Sequence, residues 1–195
     1  MFKKPRILLG LPTGGTMTTK TVFCILRMLK FSSFKFDIAT KEGCYIHWNR
    51  EHIARQAVEN KDITHLLFID SDMWFEHDAA ERLLKRDKDI IGVPYNLRKD
   101  PPTSTMKMHD ENGNVLWQEY PDGLIKAAAV ATGFMLIKTN VFEKIQKPWF
   151  FFEANEDGDL VTGEDMWFCF AARKAGFDIW ADSTISVKHI GDKLF

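Results

Sequence analysis

A chain of 195 residues, 45% apolar and 27% charged, has the size and composition of one globular domain with a real core. Its 26 basic and 27 acidic residues leave a net charge of −1, which gives no sign of a general affinity for nucleic acid or anionic lipid. No apolar run approaches the ~18 residues that span a bilayer, and the run behind the basic start Met1–Arg6 is too short for a signal peptide.

In chain order, Arg6 to Leu11 reads as a first strand, ending in the loop Pro12-Thr13-Gly14-Gly15. Thr18 to Lys30 has helical spacing through Val22, Ile25, Leu26 and Leu29. Phe36 to Ala39 is a second strand, and Arg50 to Glu59 a second helix with Ile53, Ala54, Ala57 and Val58 on one face. His65 to Ile69 is a strand, with Leu66 to Ile69 an unbroken apolar run. Asp78 to Arg86 is a helix with Asp78 as N-cap and Leu83 and Leu84 buried, followed by a strand over Asp89 to Val93. Such strand–helix alternation indicates a parallel sheet with helices on both faces. Residues 95 to 125 are polar, with Asn112-Gly113 suited to a hairpin turn. Lys126 to Ala131 and Phe134 to Lys138 read as strands and Asn140 to Ile145 as a short helix. Asn155 to Asp159 is an acidic loop, Gly163 to Ala175 a strong helix, and Asp178 to Ala181 and Ile185 to Lys188 the closing strands. The 16 Phe and 6 Trp fit a dense core, with a sugar- or base-stacking surface as the second use. Cys24, Cys44 and Cys169, odd in number and widely spaced, indicate neither a disulfide framework nor a zinc site and fit a reducing, cytoplasmic compartment.

Four stretches could carry chemistry. In Asp70-Ser71-Asp72, extended chain would put both carboxylates on one side of a strand end, where mutual repulsion favours a hard divalent cation such as Mn²⁺ or Mg²⁺. The same residues also serve as turn formers or N-caps. Gly163-Glu164-Asp165 opens a helix; its field favours ionised carboxylates, structural on one reading and a general base on the other. His189 ends the last strand, as a structural or surface imidazole or as a metal ligand. Gly133, in Ala131-Thr132-Gly133-Phe134, either lets the backbone approach a ligand or permits a bend.

The order of these stretches resembles the glycosyltransferases of GT-A fold, and most closely the inverting family-2-type enzymes. The matching text is Thr64 to Met73, Ile90 to Tyr95, Ala131 to Ile137, Gly163 to Cys169 and Ala175 to Asp182, within a resemblance running from Leu8 to Gly191. It implies one glycosyltransferase domain over residues 1–195, an α/β fold with a mixed, mostly parallel, Rossmann-like sheet. Residues 1–95 would bind a nucleotide sugar, and residues 96–195 would bind the acceptor and carry catalysis. The resemblance implies that Asp72 binds the metal directly, that Asp70 contacts the ribose or reaches the metal through water, and that His189 completes the protein ligands. The cofactor would be Mn²⁺ or Mg²⁺, offsetting charge on the departing diphosphate. Asp165 would be the base that deprotonates the acceptor hydroxyl, with Glu164 holding a sugar beside it. Thr132, Gly133 and Phe134 would lie under donor or acceptor, Ser71 beside the donor, and Pro12, Thr13 and Gly14 around the nucleobase and ribose. Arg50 stands where the family often carries an Arg-Asn pair, but Glu51 follows it here, which leaves a nucleotide role and a solvated helix-start Arg both open. The loop Gly14-Gly15-Thr16 lacks the family's aromatic or Asn after Pro-Thr. The resemblance implies a hexosyltransferase-like enzyme using a UDP-sugar before a GDP- or dTDP-sugar, and a glycan or other hydroxyl acceptor.

Three other readings compete. A haloacid-dehalogenase-like phosphatase uses Asp-x-Asp with the first Asp as nucleophile, but its motif sits on the first strand and continues to Thr or Val where Trp74 stands here. A nucleotidyltransferase has a basic first loop, whereas this one has no Arg or Lys before Lys20. A non-catalytic sugar- or nucleotide-binding domain could share the fold, though a binder has no need of a base.

Overall fold

The computed structural model describes residues 5–109, 115–116 and 122–191. Its elements are β1 (Arg6–Thr13), α1 (Thr19–Phe31), β2 (Lys35–Glu42), α2 (Ile46–Glu59), β3 (His65–Ile69), β4 (Met73–Phe75), α3 (Ala79–Lys85) and β5 (Ile90–Gly92). There follow β6 (Met108–His109), β7 (Val115–Leu116), β8 (Leu124–Ala127), β9 (Phe134–Lys138), α4 (Thr139–Lys144), β10 (Glu153–Ala154), β11 (Leu160–Thr162), α5 (Glu164–Lys174), β12 (Ile179–Asp182) and β13 (Val187–His189).

Seven strands form the central sheet in the order β2-β1-β3-β9-β5-β12-β8. Strands β2, β1, β3, β5 and β12 run one way, while β9 and β8 run against them. Period-two alternation sorts the side chains into two cores. Leu8, Leu66, Phe68, Met135 and Ile137 pack under α2, α4 and α5, and Ile7, Leu9, Leu67, Ile69, Phe134 and Leu136 pack under α1 and α3. The phenylalanines serve this packing: Phe150 stacks on Phe168 with centroids 5.0 Å apart, and both are buried. Each such ring is worth about 3–5 kcal/mol against truncation to alanine.

Helix α1 starts at an N-cap, Thr18, whose Oγ1 accepts from Thr21 N at 3.2 Å. Helix α2 begins four residues before the expected Arg50, because its first turn, Ile46 to Asn49, buries no apolar side chain and so shows no periodicity. Asp78 is the N-cap of α3 but makes no side-chain cap bond, and Leu84 is only partly buried. The strand expected over Lys126 to Ala131 is shifted: β8 ends at Ala127, and Ala128 to Ala131 are buried outside the central sheet. Strand β4 was not legible, being three residues long; it pairs antiparallel with β13, His189 opposite Met73. The acidic loop Asn155–Asp159 lies within a small hairpin of β10 and β11. Strands β6 and β7 pair antiparallel, and the turn at Asn112-Gly113 lies outside the described residues. Among the described residues no helix is long and apolar enough to cross a membrane.

Candidate functional site

Strands β1 and β3 end, and the antiparallel β9 begins, at the same edge of the sheet. Open α/β sheets receive ligands outside the carboxyl ends of their strands. Here the backbone N–H of Asp70, just past β3, donates to the carbonyl of Gly133, just before β9, at 3.1 Å. The N-terminus of α5, with Glu164 and Asp165 in its first turn, and the segment after β5, with Tyr95, join this edge through the contacts below.

Arg50 organises one half of the site. It lies one turn inside α2, with 4% of its side chain exposed, and crosses from one acidic motif to the other. Its Nη2 donates to Asp70 Oδ1 at 2.8 Å and its Nε to Glu164 Oε1 at 3.3 Å. The guanidinium carbon lies 5.4 Å from the centre of the Phe68 ring. Burial works against the arginine's charge, but Asp70 and Glu164 more than offset it and raise its pKa above the ordinary value. Arg50 is therefore not a solvated helix-start residue; it is the buried counter-ion of both motifs. Its Nη1 is buried with no hydrogen-bond partner among the described residues. Glu51 points away from this pair. Its Oε2 accepts from the backbone of Trp149 at 2.9 Å and of Phe150 at 3.3 Å, fixing that loop against α2. Asn49, unremarked in the sequence, donates from Nδ2 to the carbonyls of Thr13 at 3.3 Å and Gly43 at 3.0 Å, clipping together the ends of β1 and β2.

Asp72 organises the other half. Strand β3 ends at Ile69 and residues 71–72 form a turn, so the extended geometry expected of Asp-x-Asp is not kept and the two carboxylates take different partners. Asp72 Oδ2 lies 3.3 Å from His189 Nε2 and 3.0 Å from Arg98 Nη2. The Asp72 carbonyl accepts from Ile190 N at 2.7 Å, which fixes the His189 strand end against the turn. Burial opposes ionisation of Asp72, but the hydrogen bond from His189 and the neighbouring charges of His189 and Arg98 hold its pKa below the ordinary value. The His189 ring meets Tyr95 edge-on at 5.4 Å, and its Nδ1 is buried without a partner among the described residues.

A divalent cation bound at about 2.1 Å holds adjacent donors roughly 3 Å apart. The 3.3 Å between Asp72 Oδ2 and His189 Nε2 fits that spacing. Among the described residues no three His, Cys, Asp or Glu side chains converge on one point, and Asp70 is paired with Arg50 rather than joined to Asp72 and His189.

Asp165 and Tyr95 close the centre. Burial, then the charge of Glu164, push the Asp165 carboxyl up to about 6, with Arg50 opposing. Its Oδ1 accepts from Met166 N at 2.7 Å. The buried Tyr95 phenol is raised well above its ordinary value, by burial first and then by Asp70 and Asp165, so it stays a neutral donor. Gly133 is required here by packing: a Cβ would come within 2.8 Å of Tyr95 Cζ and 3.0 Å of Asp70 Oδ2. Thr132 Oγ1 is buried with no partner among the described residues. The Phe134 ring is buried against Phe75, 4.9 Å between centroids, and its carbonyl accepts from Val93 N, so its side chain faces the core rather than a ligand. Pro12 is buried and Gly14 exposed, while Thr13 Oγ1 accepts from Gly15 N at 3.1 Å and shapes the turn. Ser71 lends its carbonyl to Thr18 N at 2.9 Å. Arg98 lay in the polar segment and carried no motif signal; Tyr95 was visible only within the matched text around β5.

No family model and no curated protein matches the sequence. Among solved structures, A197 from STIV superposes with a TM-score of 0.66 at 20% identity, covering 96% of this chain and 86% of that one. GalNAc-T7, crystallised with UDP, GalNAc and Mn²⁺, gives 0.53 at 10% identity over 96% of this chain and 44% of that one. TarS of S. aureus gives 0.51 at 13% identity over 92% and 36%. This chain thus spans less than half the length of the last two. The strand order, the helices on both faces and these superpositions together give the chain a GT-A-type fold, that of nucleotide-sugar glycosyltransferases.

Proposed function

We propose that this chain transfers a sugar from a nucleoside diphosphate sugar, a UDP-sugar first, to the hydroxyl of a glycan or other acceptor, with inversion. The observation that carries the reading is the meeting of Asp70, Asp72 and Asp165 at one sheet edge of a GT-A fold, linked through Arg50, Tyr95 and His189. That GalNAc-T7 was crystallised with UDP and Mn²⁺ supports a nucleotide donor and a divalent ion.

Asp72 and His189 would hold Mn²⁺ or Mg²⁺, which when bound supplies positive charge against the departing diphosphate. Asp70 and Ser71 would border the ribose and phosphates, with Asp70 kept in place by Arg50, a positioning residue. Pro12, Thr13 and Gly14 would border the nucleobase, and the Thr132–Phe134 backbone would lie beneath the sugar. Residues 1–95 would serve the donor together with Thr132–Phe134 and His189, and the remainder of residues 96–195 would serve the acceptor and catalysis. Asp165 would take the proton as the acceptor oxygen attacks the anomeric carbon, and the diphosphate would leave with the electron pair of the broken C–O bond. Attack from the side opposite the leaving group inverts the centre. A carboxyl with a pKa of about 6 is matched to accept a proton near neutrality. Glu164, fixed by Arg50, would hold a sugar hydroxyl beside it.

Two competing readings lose support. A phosphatase nucleophile at Asp70 would have to work from a carboxylate already tied to a buried arginine. A mere binder has no use for Asp165, whose raised pKa marks a charge that is costly to keep at neutral pH. Calorimetric titration of UDP and of GDP, each with and without Mn²⁺, tests the proposal. Metal-dependent binding of one nucleotide is expected; failure of UDP, GDP and dTDP alike would overturn it.

A further inference from the structure

Helix α1 is apolar on two opposite faces. Its inner face, Thr21, Cys24, Ile25 and Met28, is buried in the core. On its outer side Phe23, Leu26 and Phe31 are 62, 56 and 57% exposed, and Val22 is exposed beside them. At 100° per residue, Phe23 and Leu26 lie directly opposite the middle of the buried arc. Exposed Ile38 of the edge strand β2 stands in register with Leu9, on the sheet face that α1 covers. Large apolar side chains left open on the polar side of an amphipathic helix mark a partner surface.

The charges identify the partner. Helix α1 carries Lys20, Arg27 and Lys30 and no Asp or Glu, a local excess that the chain's net charge of −1 conceals. The three cations share the outer half of the helix with Phe23 and Leu26, and Lys30 Nζ lies 5.3 Å over the Phe31 ring. Two acidic groups on neighbouring elements have other partners: Asp37 of β2 is paired with Arg6 at 2.6 Å, and Glu76, next to the His77 that meets Phe31, with Arg82 at 3.1 Å, while Asp78 beyond His77 makes no side-chain cap bond. Apolar side chains ringed by long cationic ones match the boundary of an anionic bilayer, where the rings enter the acyl region and the ammonium and guanidinium groups reach phosphate level.

We propose that the outer face of α1 docks the protein on anionic membrane surfaces. Docking does not depend on the sugar-transfer reading, but it has a geometric consequence for the candidate site. Thr18, the N-cap of α1, donates its backbone N–H to Ser71 between Asp70 and Asp72 at 2.9 Å. The end of a docked helix would hold that turn at the membrane boundary.

The test is co-sedimentation of the full chain with phosphatidylcholine vesicles, with and without phosphatidylglycerol. Binding is expected only to the anionic vesicles, weakening as salt is raised. Charge reversal of Lys20, Arg27 and Lys30 to Glu should weaken it by roughly a hundredfold or more. Phe23→Ser with Leu26→Ser should abolish it; all five positions are exposed, so the thermal melt should be unchanged. Equal binding to both vesicle types, or binding that survives both sets of substitutions, would overturn the proposal. So would a failure to bind vesicles combined with a dimer in sedimentation velocity that Phe23→Ser and Leu26→Ser dissociate, which would assign the face to a second copy.

Discussion

Asp70 and Asp72 are separated by one residue and belong to different halves of the site. Asp70 is bound by an arginine that is almost wholly buried, and through it to Glu164 on the far side of the chain. Asp72 is bound by a histidine and by Arg98, whose side chain is 48% exposed. The first carboxylate is neutralised by the scaffold itself and has little freedom to take another cation. The second has a half-exposed counter-ion, held also by the Ile190 carbonyl at 3.3 Å, and is the one of the two more open to an incoming charge. The turn at Ser71 therefore joins a fixed half and an exchangeable half.

The largest effect should come from breaking the fixed half. Arg50→Ala would leave the carboxylates of Asp70, Glu164 and Asp165 close together with no buried cation, and removing one partner of such a network costs about 3–5 kcal/mol. Urea denaturation should show that loss, and Arg50→Lys should not restore it, because a point ammonium cannot bond both carboxylates from two separate nitrogens. A loss under about 1 kcal/mol would mean the network is solvated and the comparison misplaced.

Asp165 tests what the fixed half is for. Asp165→Asn should lower turnover by about 10²–10⁴-fold while donor affinity is kept. In the unaltered protein the proposed turnover should fall as pH drops through about 6, where the Asp165 carboxyl becomes protonated. Stability should move the other way. The folded-state pKa lies above the ordinary 3.8, so between those values the folded protein binds a proton that the unfolded chain does not, and stability falls as pH rises through the window. Asp165→Asn should therefore raise Tm above pH 6 and change it little below pH 4. A variant that is inactive and no more stable at pH 8 would refute the burial account of Asp165.

Asp72→Asn addresses the exchangeable half. Mn²⁺-dependent nucleotide affinity should fall by more than about a hundredfold, with a far smaller change in the urea midpoint than for Arg50→Ala. Nucleotide affinity that keeps its full Mn²⁺ dependence would remove Asp72 from the metal site.

How far this division was readable from the residues follows from their separation. Strands β1, β3 and β9 and helix α5 were legible because each carries an unbroken apolar run or a 3.6-residue period. The acids at 70, 72, 164 and 165 were legible because they stand at the ends of those runs. What joins them was not: Arg50 meets Glu164 across 114 positions, and no local pattern encodes such a pair. Tyr95 and Arg98 border a polar stretch where periodicity is silent, and the two-residue β10 and three-residue β11 are too short to show one. Phe134 misled in the opposite sense. It adjoins a glycine at the site, yet strand alternation turns its ring into the core, while the glycine makes room for Tyr95 and Asp70.

Arg98→Ala should give the smallest effect and the sharpest test of exchange. Its partners are one carboxylate, Asp72, and the Ile190 carbonyl at 3.3 Å, and its side chain is half exposed, so the stability change should stay at about 1 kcal/mol, the size of a surface ion pair. If Arg98 neutralises Asp72 only until a cation displaces it, its removal leaves Asp72 with His189 alone. Mn²⁺ should then bind the nucleotide-free protein more tightly, by several-fold, as the competing charge is gone. Paramagnetic broadening of the His189 ring signals on Mn²⁺ titration reads this directly. Tighter binding makes Arg98 a displaceable counter-ion. Weaker binding would show that the guanidinium supports the Asp72 geometry the metal needs, and that this half of the site is as fixed as the other.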